Sequence, residues 1–597
     1  MTTPPGEGPE RSASKLLRPG VWRVLGLLVL VLILFAAVFA YEALRARSDL
    51  ETARTEAHQL QSQLTQGDLT TARSTADRLR LHTARAHSNT AGWLWDVASW
   101  TPYFGRDVSA VQTTAAALDT IAQRALPTLI DVANKVDDGT LKPRHGQLPL
   151  ARIRELTPPI QRAADVVDGP AARLERLDPS SLTSPLGTIV AQVRDRVTTA
   201  RATLDTVART FAALPAAAGA DGRRDYLLLF QNNAEIRSTG GMAGSWAVLH
   251  ADHGRVSLGR QGSAADLDRH PPAVAPVPPT VQEAELYGSD LGKQLRDANF
   301  NPNFPRFAQM AAGIVGQRTH QKFDGVFALD PVTLSYLLRA TGPVQVDGGT
   351  SLTAANAPRI LLNQAYLDIA DPVAQDAFFA EAARKIFTAV VAGQGDQLGV
   401  VRGLARGVDE RRVLAWSSRP DLAKAIDSTA VAGLLTDPSG PPQIGVFLDD
   451  ATATKLEYYL RTDSHLTNVS CDGDQVRTTV ATTLRSRVPV HKPLPVSVTG
   501  PGRFGPLRDM LLNVRFFGPS SGIIQSITVD GKQQTVAGGT AGDRQVAVVP
   551  VRLRPGQTLR LRARVSFGPG ASNQVQLTTT PGLTSGKDPV SIDGLCS

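Results

Sequence analysis

Near the N-terminus, 18 consecutive residues from Val24 to Tyr41 (VLGLLVLVLILFAAVFAY) carry no charge and lie between Arg23 and Glu42. At about 1.5 Å of rise per residue, such a helix covers most of a hydrocarbon layer of about 30 Å. Trp22 and Tyr41 suit its two interfaces. The alternative, a buried core helix, is weak because the run is apolar on every face. A cleaved signal peptide is the rival reading, with Val38-Phe39-Ala40 as its cleavage site. The length of the run, and the helical pattern resuming at Leu44, favour a retained anchor. Arg11, Lys15, Arg18 and Arg23 precede the run, whereas Arg45 and Arg47 follow it mixed with Glu42, Asp49 and Glu51. The expectation is a single-pass cell-membrane protein: residues 1–23 a cytoplasmic tail, 24–41 the transmembrane helix, and the bulk extracytoplasmic.

The 597 residues exceed what one hydrophobic core accommodates, so a multidomain chain is expected. The net charge of +8 is scattered among acids, without a basic run. This argues against nucleic acid and leaves an anionic envelope glycopolymer or a lipid surface as the partner. Cys471 and Cys596 are the two cysteines, too far apart for a metal or redox motif. Outside the membrane they are expected to form a disulfide, worth about 4–5 kcal/mol in the chain-entropy model; two separate buried thiols are the alternative.

Leu50, Ala53, Ala57, Leu60 and Leu64 share one helix face, Gly67-Asp68 breaks the pattern, and Leu69, Ala72, Ala76 and Leu79 resume it. An antiparallel pair is expected, within an all-α stalk or bundle over 42–218 that includes a long stripe from Leu186 to Phe211. Trp93, Trp95, Trp100, Tyr103 and Phe104 cluster around Pro102 and are expected to pack at a helix junction. Mixed strands and helices indicate a central α/β domain over 224–437, with strands at 226–230, 246–249, 255–258, 326–329 and 344–346 and helices including 398–416. Alternating runs between Gly, Pro and Asp turns, one of them at 494–499, indicate an immunoglobulin-like β-sandwich over 441–597.

The polar segment Gln231-Asn-Asn-Ala-Glu-Ile-Arg-Ser-Thr-Gly-Gly241 interrupts an apolar neighbourhood after a strand. Amides near Gly240 and Gly241 can form an anion nest, with Asn233 beside them and Arg237 adding a bidentate fork. The plainer reading pairs Arg237 with Glu235 or Asp330 to fix a turn, and on pattern alone it is preferred. His250 and His253 flank a hairpin turn without a third ligand nearby, so no metal site is expected.

The blocks YLLLFQNNAEIRSTGGMAGSWAVL, NFNPNFPRFAQM and FDGVFALDPVTLSYLLRATGPVQV, with RRVLAWSSRPDL and Lys455-Leu-Glu-Tyr-Tyr459, resemble domain-of-unknown-function family 4012 of actinobacterial membrane proteins. The central domain is also distantly similar to the LytR-CpsA-Psr family, which transfers glycopolymers from polyprenyl pyrophosphate to the cell wall. That resemblance implies a pyrophosphate-binding role for Arg237. The stretch corresponding to the family's later arginines, DPVAQDAFFAEAARKIF, offers only Arg384 and Lys385. Two readings stay open. The preferred one is a non-catalytic or uncharacterised protein binding envelope components, with no cofactor. The alternative is an enzyme acting on polyprenyl-phosphate-linked glycans, with Asp330 or Asp376 as base or as ligand of a divalent metal.

Overall fold

The computed structural model describes residues 19–583 apart from 67, 145, 347, 428, 436–440, 473–474, 504 and 569–574; residues 19–37, 65 and 137 are described by their backbone alone. Contacts divide the chain into two compact units. One holds the chain up to Asp131 with Arg162–Leu204, and the other holds Val132–Gln161 and everything from Asp205 onward.

Seven helices account for most of residues 19–217: α1 (Pro19–Gln66), α2 (Leu69–Thr90), α3 (Trp93–Ser99), α4 (Gly105–Thr120), α5 (Leu126–Asp137), α6 (Leu150–Glu175) and α7 (Leu186–Ala217). The Asp68 carboxylate caps α2 by accepting from the Thr71 amide at 3.1 Å. Arg78 reaches Glu56 and His82 reaches Asp49, so α1 and α2 run antiparallel. Alanines such as Ala72, Ala76, Ala117 and Ala125 fill the contacts and let the helices approach closely. Helix α6 lies inside the helical region expected over 42–218. Pro158, Pro159 and Pro170 argue against a helix there, but Ile153, Leu156, Ile160, Ala163, Val167, Ala171 and Leu174 form one buried stripe. Burial of that face outweighs the lost backbone hydrogen bonds.

The expected span 24–41 falls on α1, but Val24–Ala37 lie among the residues described by backbone alone. Among the described residues no helix is long and apolar enough to cross a membrane.

The second unit is built on a five-stranded mixed sheet of β1 (Arg224–Asn232), β2 (Met242–Asp252), β3 (Arg255–Ser263), β4 (Gly325–Leu329) and β7 (Leu414–Ser417), in the order β3-β2-β1-β4-β7. Strands β5 (Val344–Val346) and β6 (Thr350–Leu352) form a separate hairpin. Central β1 pairs parallel with β4, and its Leu227 and Leu229 pack with Phe304, Phe307 and Met310 of the helix Phe304–Thr319. The helix expected over 398–416 ends at Asp409 instead, and Leu414–Ser417 is a strand antiparallel to β4. Arg411 adopts φ 55° between them, a conformation that no helix tolerates in its interior.

Among the described residues, the C-terminal part contains ten strands: β8 (Gln443–Asp450), β9 (Leu460–Asp472), β10 (Gln475–Ser486), β11 (Met510–Ser520), β12 (Ile523–Val529), β13 (Lys532–Gln533), β14 (Ala537–Ala541), β15 (Arg544–Leu553), β16 (Thr558–Phe567) and β17 (Gln576–Thr579). They form sheets in the orders β13-β12-β16-β10-β9 and β14-β15-β11-β8-β17. Val480 and Leu561 from one sheet share a core with Val446 and Phe516 from the other, which makes this a sandwich. The strand expected at 494–499 is a short helix, Val496–Thr499, started by Pro495. Strand β8, with no counterpart in the sequence reading, sits inside the second sheet between β11 and β17. Cys471 is exposed on β9, and its expected partner Cys596 lies outside the described residues.

Candidate functional site

Strand β1 delivers the polar segment 231–241 to the junction of the α/β sheet with the sandwich, and every residue of it is buried. Arg237 is 3% exposed. Its Nη1 donates to the carbonyls of Ile236 at 3.0 Å and Asp450 at 3.2 Å. Carboxylate oxygens of Asp450 and Asp297 lie 3.8 and 3.9 Å from its guanidinium, which also stacks over the Phe300 ring at 4.8 Å. The plainer reading holds in kind, but with different partners: Glu235 pairs with Lys455 at 2.6 Å and Asp330 with Arg412 at 2.7 Å.

The glycines close this loop upon itself. The Gly240 amide donates to Arg237 O at 2.8 Å, and the Met242 amide to Glu235 O at 2.8 Å. Gly240 has φ 134°, and a Cβ on Gly241 would stand 2.2 Å from the Asn232 carbonyl oxygen. Close packing, not an anion nest, is what requires glycine here. Asn233 donates to the carbonyls of Gly240 and Pro581, both at 3.3 Å. Ser238 donates through its amide and hydroxyl to Asp449, which also meets Arg515. Burial raises the Asp449 and Asp450 carboxyls, opposed chiefly by Arg515 in the first case and by Arg237 in the second.

Asp330 is likewise structural. One of its oxygens caps the helix Pro331–Thr341 through the Thr333 amide at 2.8 Å, and the other receives Arg412, both side chains being 1% exposed. Arg412 also donates to Glu410 at 2.6 Å and to Gly582 O at 2.6 Å. Burial works against its charge, but Asp330 and Glu410 more than offset that and raise its pKa.

On the other side of the 231–241 segment a cleft of about 340 Å³ opens. Phe230, Met242, Leu334, Leu361, Leu362, Phe379 and Ala383 give it apolar walls; Gln231, Asn232, Glu235, Ser263, Gln375, Asp376, Arg296 and Lys455 line it with polar groups. Leu361 and Leu362 arrive on a π-helical turn, Ile360–Gln364, a local widening that recurs at functional sites. Lys455 stands 4.8 Å over the Tyr366 ring, whose hydroxyl accepts from Asn232 at 2.9 Å. The Asp376 carboxyl is raised by desolvation against the cleft wall, with Ser263 opposing. Of the residues singled out in the sequence, Asp376 lines this cleft, and Arg237, Asp330, Asn233, Gly240 and Gly241 do not.

A wider depression of about 560 Å³ lies on the outer face of the β-sandwich. Arg560, Arg562 and Arg564 on β16 line it beside Thr479, Ser526 and Thr528. Strict alternation in TLRLRARV is the sequence signal for this arginine row, which belongs to no recognised motif.

Residues 221–366 match the family described as "Protein of unknown function (DUF4012)". The match begins just before β1 and ends at Tyr366, so it includes the 231–241 segment and one wall of the cleft. No curated protein matches the chain.

Proposed function

We propose that this chain is a single-pass, membrane-anchored extracytoplasmic protein whose central cleft binds an amphiphilic component of the cell envelope without chemically transforming it. The observation that carries this reading is the make-up of the cleft. Leu334, Leu361, Leu362 and Phe379 offer a surface for an alkyl or prenyl chain, while Glu235, Asp376, Gln375 and Lys455 present both acceptors and donors. A polyhydroxylated head needs both, as a lipid-linked glycan would. The anchor reading rests on the uncharged run 24–41, and the disulfide reading on an outer location for Cys471 and Cys596. The arginine row on β16 supports an anionic envelope polymer as a second partner.

The LytR-CpsA-Psr-like transferase reading needs an arginine and two acids converging on one phosphate. Arg237 and Asp330 are instead buried in separate ion pairs, leaving Asp376 in the cleft. Its raised carboxyl is the one feature that favours an enzyme.

The test is extraction of the full chain from native membranes in mild detergent, followed by mass spectrometry of the intact complex. A stoichiometric long-chain lipid with a sugar-bearing head is expected. Preparations that carry no amphiphile, and gain none on adding polyprenyl phosphate-linked saccharide, contradict the reading. Turnover of that saccharide would replace it with the enzymatic one.

A further inference from the structure

The aromatic cluster at 93–104, expected to pack at a helix junction, divides into two parts. Trp95 and Ala98 are buried against Val108, with Phe39 and Ala43 of α1 packed on them. The Phe39 and Trp95 rings lie 4.7 Å apart, and the Trp95 indole donates to Glu42 at 3.1 Å. The rest of the cluster points to solvent: Trp93 is 69% exposed, Trp100 89%, Tyr103 93% and Phe104 66%.

Trp93, Val97 and Trp100 stand at i, i+4 and i+7 and so share the face of α3 opposite Trp95 and Ala98. Asp96 flanks that face, where it accepts from Gln112 of α4 at 3.2 Å. Single exposed apolar residues are ordinary, but a contiguous group of five around one short helix is not. Its height along α1 is fixed: Phe39, Glu42 and Ala43 lie within about 3 Å axially of Tyr41, the last residue of the uncharged run. Tyr41 and Leu44 are themselves 54% and 66% exposed. Tryptophan and tyrosine at the end of an apolar helix are the side chains that a bilayer interface accepts, having an apolar ring body and a polar edge.

We propose that the outer face of α3 and the turn after it, with Trp93, Val97, Trp100, Tyr103 and Phe104, lies in the outer interfacial layer of the membrane. This short helix is thus a second, monotopic contact that sets how the helical unit meets the bilayer. The inference rests on the anchor reading. The partner is lipid because Trp95 and Ala98 hold the patch at the height where the uncharged run ends, and it stops where Arg106 and Asp107 open α4.

The experiment uses the full chain in phosphatidylcholine vesicles, with or without acyl-chain bromination just below the headgroup. Wild type is compared with the double variant Trp93→Phe/Trp100→Phe, whose exposed positions leave the fold intact. The difference in emission belongs to these two indoles. Brominated lipid is expected to quench it at least twofold, and aqueous iodide to leave it nearly unchanged. Retention through an alkaline carbonate wash reports the anchor separately. Protein retained by the wash whose difference emission is quenched by iodide overturns this inference alone. Shielding from both quenchers also overturns it, because protein then covers the face. Release by carbonate overturns the anchor reading, and this inference with it.

Discussion

Both units carry exposed ion pairs, but among the described residues the second also buries some almost completely. In the helical unit Arg73 and Asp131 pair at 2.9 Å with side chains 61% and 63% exposed. In the second unit Arg412 and Asp330 are each 1% exposed, and Arg515 and Asp449 are 6% and 0% exposed. Water screens the first kind of pair, so either partner can leave at little cost. For the second kind, the remaining partner would be left charged and desolvated. A polar residue within an apolar stretch of the second unit is therefore poor evidence of a ligand site until its partner is known.

Predictions on this contrast run from large to small. Arg412→Ala leaves the buried Asp330 carboxylate without its cation, while Glu410 keeps Arg406 and Tyr336, so chemical denaturation should show the second unit destabilised by about 3–5 kcal/mol. Arg237→Ala should cost less, about 2–3 kcal/mol, because Asp450 keeps three donors from Thr452 and Thr454. An unchanged midpoint in either variant would break the comparison.

Glu457 sharpens it in the other direction. This side chain is buried at the start of the sandwich, and its carboxyl oxygens meet no donor from another residue. Burial, followed by the charge of Asp450, raises its carboxyl well above the ordinary value of 4.5. The unfolded chain therefore releases this proton at lower pH than the fold does. Its contribution is most favourable below about pH 4.5 and declines as pH rises toward the raised folded pKa. Glu457→Met should accordingly stabilise the unit by about 1–3 kcal/mol at pH 7, and by less at pH 4. Equal melting shifts at the two pH values would contradict the assignment. At the small end, Arg73→Ala in the helical unit should shift stability by no more than about 0.5 kcal/mol.

The sequence was informative wherever a local pattern decides the structure. Leu227-Leu228-Leu229 reads as a central strand because both faces of β1 are covered, and the polar segment after it does reach a junction. What that segment does there depended on Asp449 and Asp450, more than 200 residues away and on a strand that the reading lacked. Two acids ending the apolar run Ile444–Leu448 were the available signal. The cleft was equally non-local: Leu361 and Leu362, Phe379 and Lys455 come from three separated segments, so no single motif contains it. The arrangement of Trp95 and Trp100 was hidden for another reason, since spacing fixes opposite faces of a helix but not which face is buried.

The central claim places ligand binding in the cleft beside Glu235 and Lys455, and gives Arg237 a structural role. Ala265 lies exposed on the cleft lining, so Ala265→Trp should fill the cleft without disturbing the core. The decisive measurement compares wild type, Ala265→Trp and Arg237→Lys, all full-length and from native membranes, for lipid retained per chain by native mass spectrometry. The account predicts at least a tenfold loss of bound amphiphile in Ala265→Trp and near-wild-type occupancy in folded Arg237→Lys. Full occupancy in Ala265→Trp, with loss in folded Arg237→Lys, would contradict it and return the site to Arg237.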